Sequence, residues 1–106
     1  MDSDRKVIWS AKAKITFYSV IEYLNGNWTK KEMIQFSQRT LITINAIRKN
    51  PGIFPASARN QKIRKAIVDK NNSFYYKTDD NNQKIYLLTF FDSRQDPKKL
   101  IINDLL

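Results

Sequence analysis

The second half of the chain carries the side chains best suited to chemistry. Six of them are of types that bind phosphate or RNA: Lys62, Arg64, Lys65, Tyr75, Tyr76 and Arg94. An arginine stays protonated and binds two phosphate oxygens at once, and a tyrosine ring can stack on a nucleobase. These types predict a surface that binds phosphate.

Cleavage of RNA would need more than binding. Arg64, Arg94 and Lys62 are the catalytic candidates, because attack of a 2′-hydroxyl on its own phosphate needs cations for the developing charge and a group that accepts the proton. The chain has no histidine, and a lysine can be the base only if burial or crowding lowers its pKa. The catalytic set is therefore incomplete.

Each candidate also has a purely structural interpretation. Lysines near a strand often prevent aggregation, and adjacent tyrosines in a strand usually pack in a core. Arg94 stands between Asp92 and Asp96, two carboxylates that can hold its guanidinium at the end of a strand. For Arg64 and Arg94 we favour a functional role.

The composition limits the function classes. A chain of 106 residues predicts one domain over residues 1–106. The net charge of +9 favours acidic or phosphate-bearing partners over a merely soluble basic surface. Because cysteine and histidine are absent, the chain can form no disulfide and no Cys/His zinc site, and we also expect no other metal and no cofactor. No stretch is apolar enough for a signal peptide or a membrane span, so we expect a cytoplasmic protein with no membrane partner.

Two helices are predicted after a short strand at residues 7–9. The first begins after Ser10, carries its apolar face at helical spacing, and ends at Asn25, Gly26 and Asn27. The second begins with a capping box from Thr29 to Glu32, is predicted to have a hydrophobic staple between Trp28 and Met33, and ends at Lys49 before Pro51.

Three strands are predicted after the helices, at residues 62–68, 73–77 and 84–91. The last is almost continuously apolar and should lie in the middle of the sheet. The fold class is therefore α+β, in the order β-α-α-β-β-β, with a two-helix hairpin on one face of a mostly antiparallel sheet of about four strands. Lys62 and Arg64 should share the uncovered face, and one of the rings of Tyr75 and Tyr76 should be free to stack.

Four stretches carry a resemblance to a known family: VIWSAKAKITFYSVIEYL, NWTKKE, KIRKAIV followed by FYYK, and LLTFFDSRQDPKKL. Together they resemble the RelE/ParE toxins of bacterial type II toxin-antitoxin systems over residues 7–100. The resemblance implies a small basic toxin around which a cognate antitoxin folds. Arg64 and Arg94 match the positions of phosphate-binding arginines in RelE-like enzymes, and Lys62 falls near the family's basic positions.

The resemblance leaves three activities open. RelE-like members cut messenger RNA on the ribosome, whereas ParE-like members poison DNA gyrase without being known catalysts. Residues 98–106 lack the late tyrosine or histidine of RelE-like nucleases, and the long second helix is more like ParE. We therefore place the gyrase-directed toxin ahead of the mRNA endonuclease, and both ahead of an inactive member that only binds antitoxin.

Overall fold

The computed structural model describes residues 5–27, 29–58, 60–79, 81 and 83–94, which form two helices and four strands. These elements are β1 (Lys6–Trp9), α1 (Ala11–Asn27), α2 (Lys30–Lys49), β2 (Arg64–Ile67), β3 (Asn72–Asp79) and β4 (Lys84–Asp92). The strand order in the sheet is β1-β4-β3-β2, with β1 parallel to β4 and the other pairs antiparallel. The predicted fold class and element order are confirmed.

Helix α1 ends within the stop that the sequence predicts. It runs through Gly26 to Asn27, and no described glycine has a positive φ. The stop at Asn25, Gly26 and Asn27 is therefore confirmed in position, but the glycine takes helical angles and not the left-handed conformation that often ends a helix. Val20 and Leu24 are buried, with Phe17 and Ile21 packed beside them, as predicted.

Helix α2 begins and ends as its sequence signals indicate. The Thr29 side chain accepts a hydrogen bond from the Glu32 backbone N–H at 3.3 Å, which satisfies one of the free donors at the helix start. The helix ends at Lys49, one residue before the C-cap Asn50. The hydrophobic staple between Trp28 and Met33 stays a prediction, because Trp28 lies outside the described residues.

An aromatic cluster joins the helices to β4. Phe90 lies 5.3 Å from Trp9, 5.2 Å from Phe17 and 5.0 Å from Phe74 between ring centroids, and Phe17 stacks on Phe36 at 5.4 Å. Contacts at these separations contribute about 0.5–1.5 kcal/mol each beyond the burial of apolar area. The central position predicted for β4 is confirmed, because β1 and β3 flank it and most of its residues are buried.

The pairing of β3 and β4 is interrupted at Tyr75 and Tyr76, which face Thr89 and Leu87. Ser10, which precedes α1, and Thr16 of α1 bond backbone groups of β4 beside this irregularity. The Ser10 hydroxyl donates to the Leu88 carbonyl at 3.0 Å, and the Phe90 N–H donates to Thr16 Oγ1 at 2.9 Å. Side chains at the start of α1 thus hydrogen-bond to the sheet at the point where the pairing of β3 and β4 is interrupted.

Replacing Thr16 by valine is expected to lower the free energy of unfolding by about 1–2 kcal/mol, because the buried Phe90 N–H loses its acceptor while the side-chain shape is kept. Urea unfolding followed by tryptophan fluorescence measures the change. Ser19→Ala is the control, since that exposed hydroxyl bonds only within α1. Equal losses of stability in the two variants would contradict the stabilising role of the hydrogen bond between Phe90 and Thr16.

The face of the sheet away from the helices is not the open surface that the sequence predicts. Ile63, Tyr75 and Leu88 form a second apolar cluster there, and each is at most 8% exposed. Adjacent residues of a strand point to opposite faces, so Tyr75 lies on this side while Phe74 and Tyr76 lie in the main core. No helix in the described part of the chain is long and apolar enough to cross a membrane.

Candidate functional site

Arg94 is held by a fully buried carboxylate. Asp92, the last residue of β4, has no solvent-exposed surface, and both its oxygens bind the Arg94 guanidinium: Nε to Oδ1 at 2.9 Å and Nη2 to Oδ2 at 2.6 Å. Oδ1 also accepts the Arg94 backbone N–H at 2.8 Å. The prediction that Asp92 holds Arg94 is confirmed, whereas Asp96 lies outside the described residues.

The helices complete the surroundings of Arg94. Its Nη1 lies 3.8 Å from Glu32 Oε2 at the start of α2, and its Cζ lies 5.7 Å from the ring centre of Tyr23 in α1. The hydrogen bond with Asp92 raises the pKa of Arg94 above its usual value, so the side chain remains a cation. This arginine joins the end of the sheet to both helices.

Arg64 lies on the helix side of the sheet. It is paired with the core residue Tyr76, and its Nη1 donates to the Phe54 carbonyl at 2.6 Å in the loop after α2. Ala56 forms an isolated bridge with Arg64 on the other side of β2. The prediction that Arg64 faces away from the helices is therefore wrong, because the loop returns to the sheet and binds its guanidinium.

The two arginines lie near opposite ends of the sheet. Arg64 faces Tyr76, Tyr76 faces Leu87, and Asp92 lies further along the same strand β4. A rise of about 3.3 Å per residue and a strand spacing of about 4.8 Å place the Cα atoms of Arg64 and Asp92 roughly 20 Å apart. The structure does not bring Arg64 and Arg94 together at one phosphate.

The lysine candidates are exposed but separate. Lys62 lies in a turn before β2, where its backbone N–H donates to Asn60 Oδ1 at 3.0 Å. The predicted strand from residue 62 is thus too long, and Lys62 does not share a strand face with Arg64. Lys65 is in β2 and points away from the helices, opposite to Arg64 as predicted.

Neither tyrosine presents its ring to solvent. Tyr75 is 5% exposed and Tyr76 is fully buried, so the expectation of one free ring is wrong. The Tyr76 hydroxyl donates to the Pro51 carbonyl at 2.8 Å. Burial raises the pKa of Tyr76 above 10.0, an effect that the Arg64 charge and a hydrogen bond with the Phe54 backbone partly oppose. Both rings serve packing in this structure.

The Tyr76→Phe variant is expected to be about 1 kcal/mol less stable than wild type at neutral pH, because the hydrogen bond to Pro51 is lost. Above pH 10 the unfolded tyrosine ionises while the folded one stays protonated, so wild type loses stability that the variant keeps. The difference in unfolding free energy between wild type and variant should shrink as pH rises from about 10 towards the pKa of the folded tyrosine, as measured by urea unfolding. Tyr18→Phe, at an exposed tyrosine, is the control. A difference in stability between wild type and Tyr76→Phe that stays constant with pH would contradict the effect of burial on the pKa.

A cavity of about 280 Å³ adjoins Arg94. Arg39 and Lys70 bring positive charge to its wall, and Glu32 and Asp69 bring negative charge. Since Asp92 already neutralises Arg94, the cavity has little net positive charge to attract a phosphate. Among the described residues no group of three acidic, histidine or cysteine side chains is arranged to hold a metal ion.

An apolar groove between α1 and α2 is the feature that the sequence reasoning missed. It contains two adjoining cavities of about 430 and 370 Å³, which share Phe17, Tyr18 and Ser37. Large apolar side chains on its rim are well exposed, including Tyr18 at 65%, Leu41 at 60% and Ile34 at 46%. The sequence signal for this groove was the set of apolar residues that lie off the buried face of each helix.

Comparison with known proteins shows the fold. No family model and no curated protein sequence matches the chain. A chain of a chromosomal ParDE toxin-antitoxin system from P. aeruginosa is similar in structure, with TM-score 0.68, 8% identity, and coverage of 87% of this chain and 98% of that one. A chain of the RelBE2 toxin-antitoxin complex from Mycobacterium tuberculosis has TM-score 0.57 and 10% identity, covering 83% and 90%.

A third similar structure is a YoeB/ParE toxin from Agrobacterium tumefaciens, with TM-score 0.59, 11% identity, and coverage of 82% of this chain and 96% of that one. At these identities the likeness concerns the fold. The chain has the RelE/ParE fold, and the resemblance seen in the sequence is confirmed at that level.

Proposed function

We propose that the chain is the toxin of a type II toxin-antitoxin pair and that its cognate antitoxin binds the groove between α1 and α2. The observation that carries this proposal is the exposed apolar groove, on a fold whose solved examples include a ParDE system and a RelBE2 toxin-antitoxin complex. Exposed apolar patches of this kind mark interaction sites, and an apolar groove between helices suits an amphipathic helix.

The charge of the hairpin supports an acidic partner. Between residues 11 and 49 the chain has seven basic residues (Lys12, Lys14, Lys30, Lys31, Arg39, Arg48 and Lys49) and two acidic ones (Glu22 and Glu32). An acidic helix would be attracted to this surface over a distance of about a Debye length and would then bury its apolar face in the groove.

For the target we propose DNA gyrase, bound without chemical catalysis in the manner of ParE-like toxins. Three observations support this choice: Arg94 is occupied by Asp92, Arg64 is occupied by the Phe54 carbonyl, and both tyrosine rings are buried. A nuclease centre built from Arg64, Arg94 and Lys62 would need these contacts to break. A toxin that acts on gyrase would act in the cytoplasm.

The mRNA endonuclease remains the second candidate. The exposed Lys62 and Lys65 favour it, because such side chains can bind the RNA backbone. In this alternative the two lysines bind message on the ribosome while another group supplies the base.

Induced expression of the chain without its antitoxin separates the two targets. The gyrase proposal predicts induction of a DNA-damage reporter and double-strand breaks, with messages intact at early times. Cleaved messages with no DNA damage would support the endonuclease instead. A charge-removing double variant, Lys62→Ala with Lys65→Ala, should then lose RNA cleavage, whereas under the gyrase proposal its DNA damage response should persist.

A further inference from the structure

We infer that the groove selects an acidic helix with two apolar anchor residues four positions apart, and that Lys14 recognises a carboxylate next to one of them. The inference rests on the proposed function only in naming that helix as part of the antitoxin. It adds the chemistry by which the groove distinguishes one partner from another.

The two cavities of the groove set the number of anchors. The first is floored by the buried Thr40 and Ile44 and rimmed by Leu41, and the second lies between Ile21 and Met33 with Ile34 on its rim. Tyr18 and Phe17 belong to both and stand where the cavities adjoin. Each cavity is large enough for one leucine-sized or aromatic side chain, so a helix along the groove would insert one anchor into each.

The spacing of the cavities sets the spacing of the anchors. Along α2 the first cavity is lined by residues 37–44 and the second by residues 33–38, so their centres are about five residues, or roughly 7 Å, apart on this helix. Along α1 the lining residues of the two cavities are about two residues apart, which is roughly 4 Å. Both separations are close to one helical turn of about 5.4 Å, and residues one turn apart, at i and i+4, lie on one face of a partner helix.

Lys14 supplies the polar recognition. Among the described residues that line the two cavities it is the charged one, and it stands at the end of the first cavity away from the second. It is exposed, and no contact within the described structure occupies its ammonium group. A carboxylate one helical turn beyond the first anchor would therefore meet this cation.

A second copy of the chain fits the groove poorly. The chain carries a net charge of +9, and the hairpin that would have to enter the groove is itself basic. Like charges facing each other across an interface oppose association. An acidic helix is the occupant that satisfies both the apolar floor and the cation at the rim.

The test uses two stapled helical peptides of about 16 residues with leucine at positions i and i+4. They differ only in carrying glutamate or lysine one turn beyond the first leucine. Fluorescence anisotropy with the full chain should show about tenfold tighter binding of the glutamate peptide. The Lys14→Glu variant should reverse that preference, and replacing both leucines by alanine should abolish saturable binding.

Lys12→Glu is the matched control, because it makes the same charge change on the same helix outside both cavities. It should leave the preference for the glutamate peptide in place. If both lysine variants change the preference equally, or if neither peptide binds saturably, the inference is wrong. A chain that arrests growth but fails these peptide tests would refute the inference alone and leave the proposed toxin function intact.

Discussion

The Arg94→Ala variant is expected to lose about 3 kcal/mol of unfolding free energy, because Asp92 would remain in the protein interior as an uncompensated charge. Asp92 has no exposed surface, and Arg94 gives it two side-chain hydrogen bonds. The substitution would also release the contacts with Glu32 and Tyr23 that join the sheet to the helices. Urea unfolding followed by tryptophan fluorescence measures the loss.

Two comparisons distinguish this structural role from a functional one. Asp92→Ala should destabilise the chain to a similar extent, and the double variant should lose clearly less than the sum of the single losses. Arg39→Ala, at an exposed arginine of the neighbouring cavity, should change stability by at most about 0.5 kcal/mol. An Arg94→Ala protein with wild-type stability and no toxicity would show instead that the cation acts on the target.

The Leu41→Asp variant is expected to escape neutralisation while remaining toxic. Leu41 is 60% exposed and lines the larger groove cavity, so an aspartate there would leave the fold intact but place a charge against the apolar face of the antitoxin helix. Burying an unpaired charged group against an apolar face costs about 2–4 kcal/mol, which is a loss of roughly 30- to 1000-fold in affinity. Growth with and without co-expressed antitoxin, and titration calorimetry of the purified pair, measure the effect.

Ile42→Asp is the matched control for Leu41. Ile42 is the next residue of α2, its side chain is 68% exposed, and it lines neither groove cavity. Its aspartate variant should be neutralised as efficiently as wild type. Equal losses at both positions would mean that antitoxin covers the outer surface of α2 and not the groove.

The elements of the fold were predictable because each depends on local sequence. Helical spacing in α1, the cap at Thr29 and the apolar run of β4 act within a few residues, and all three are found in the structure. The contact between Arg94 and Asp92 was predictable for the same reason. Glu32 and Tyr23 also surround Arg94, but their approach depends on how the hairpin crosses the sheet, which local patterns do not specify.

The faces of the candidate site residues were harder to predict. Alternation along a strand assigns relative faces, but the choice of face for Arg64 depends on the loop that returns to bind it, with Ser57 N–H donating to the Ile63 carbonyl at 2.6 Å. Tyr75 was correctly placed opposite Tyr76, but the second apolar cluster that buries it draws on residues from separate strands. The groove likewise exists only once the two helices are packed.

Growth after controlled induction of the chain in a bacterial host, with the soluble protein quantified, tests the proposed toxin function. A toxin should arrest growth when the chain is induced alone, and co-expression of the cognate antitoxin should restore growth. Unchanged growth with abundant, folded protein would contradict the claim that this chain is a toxin.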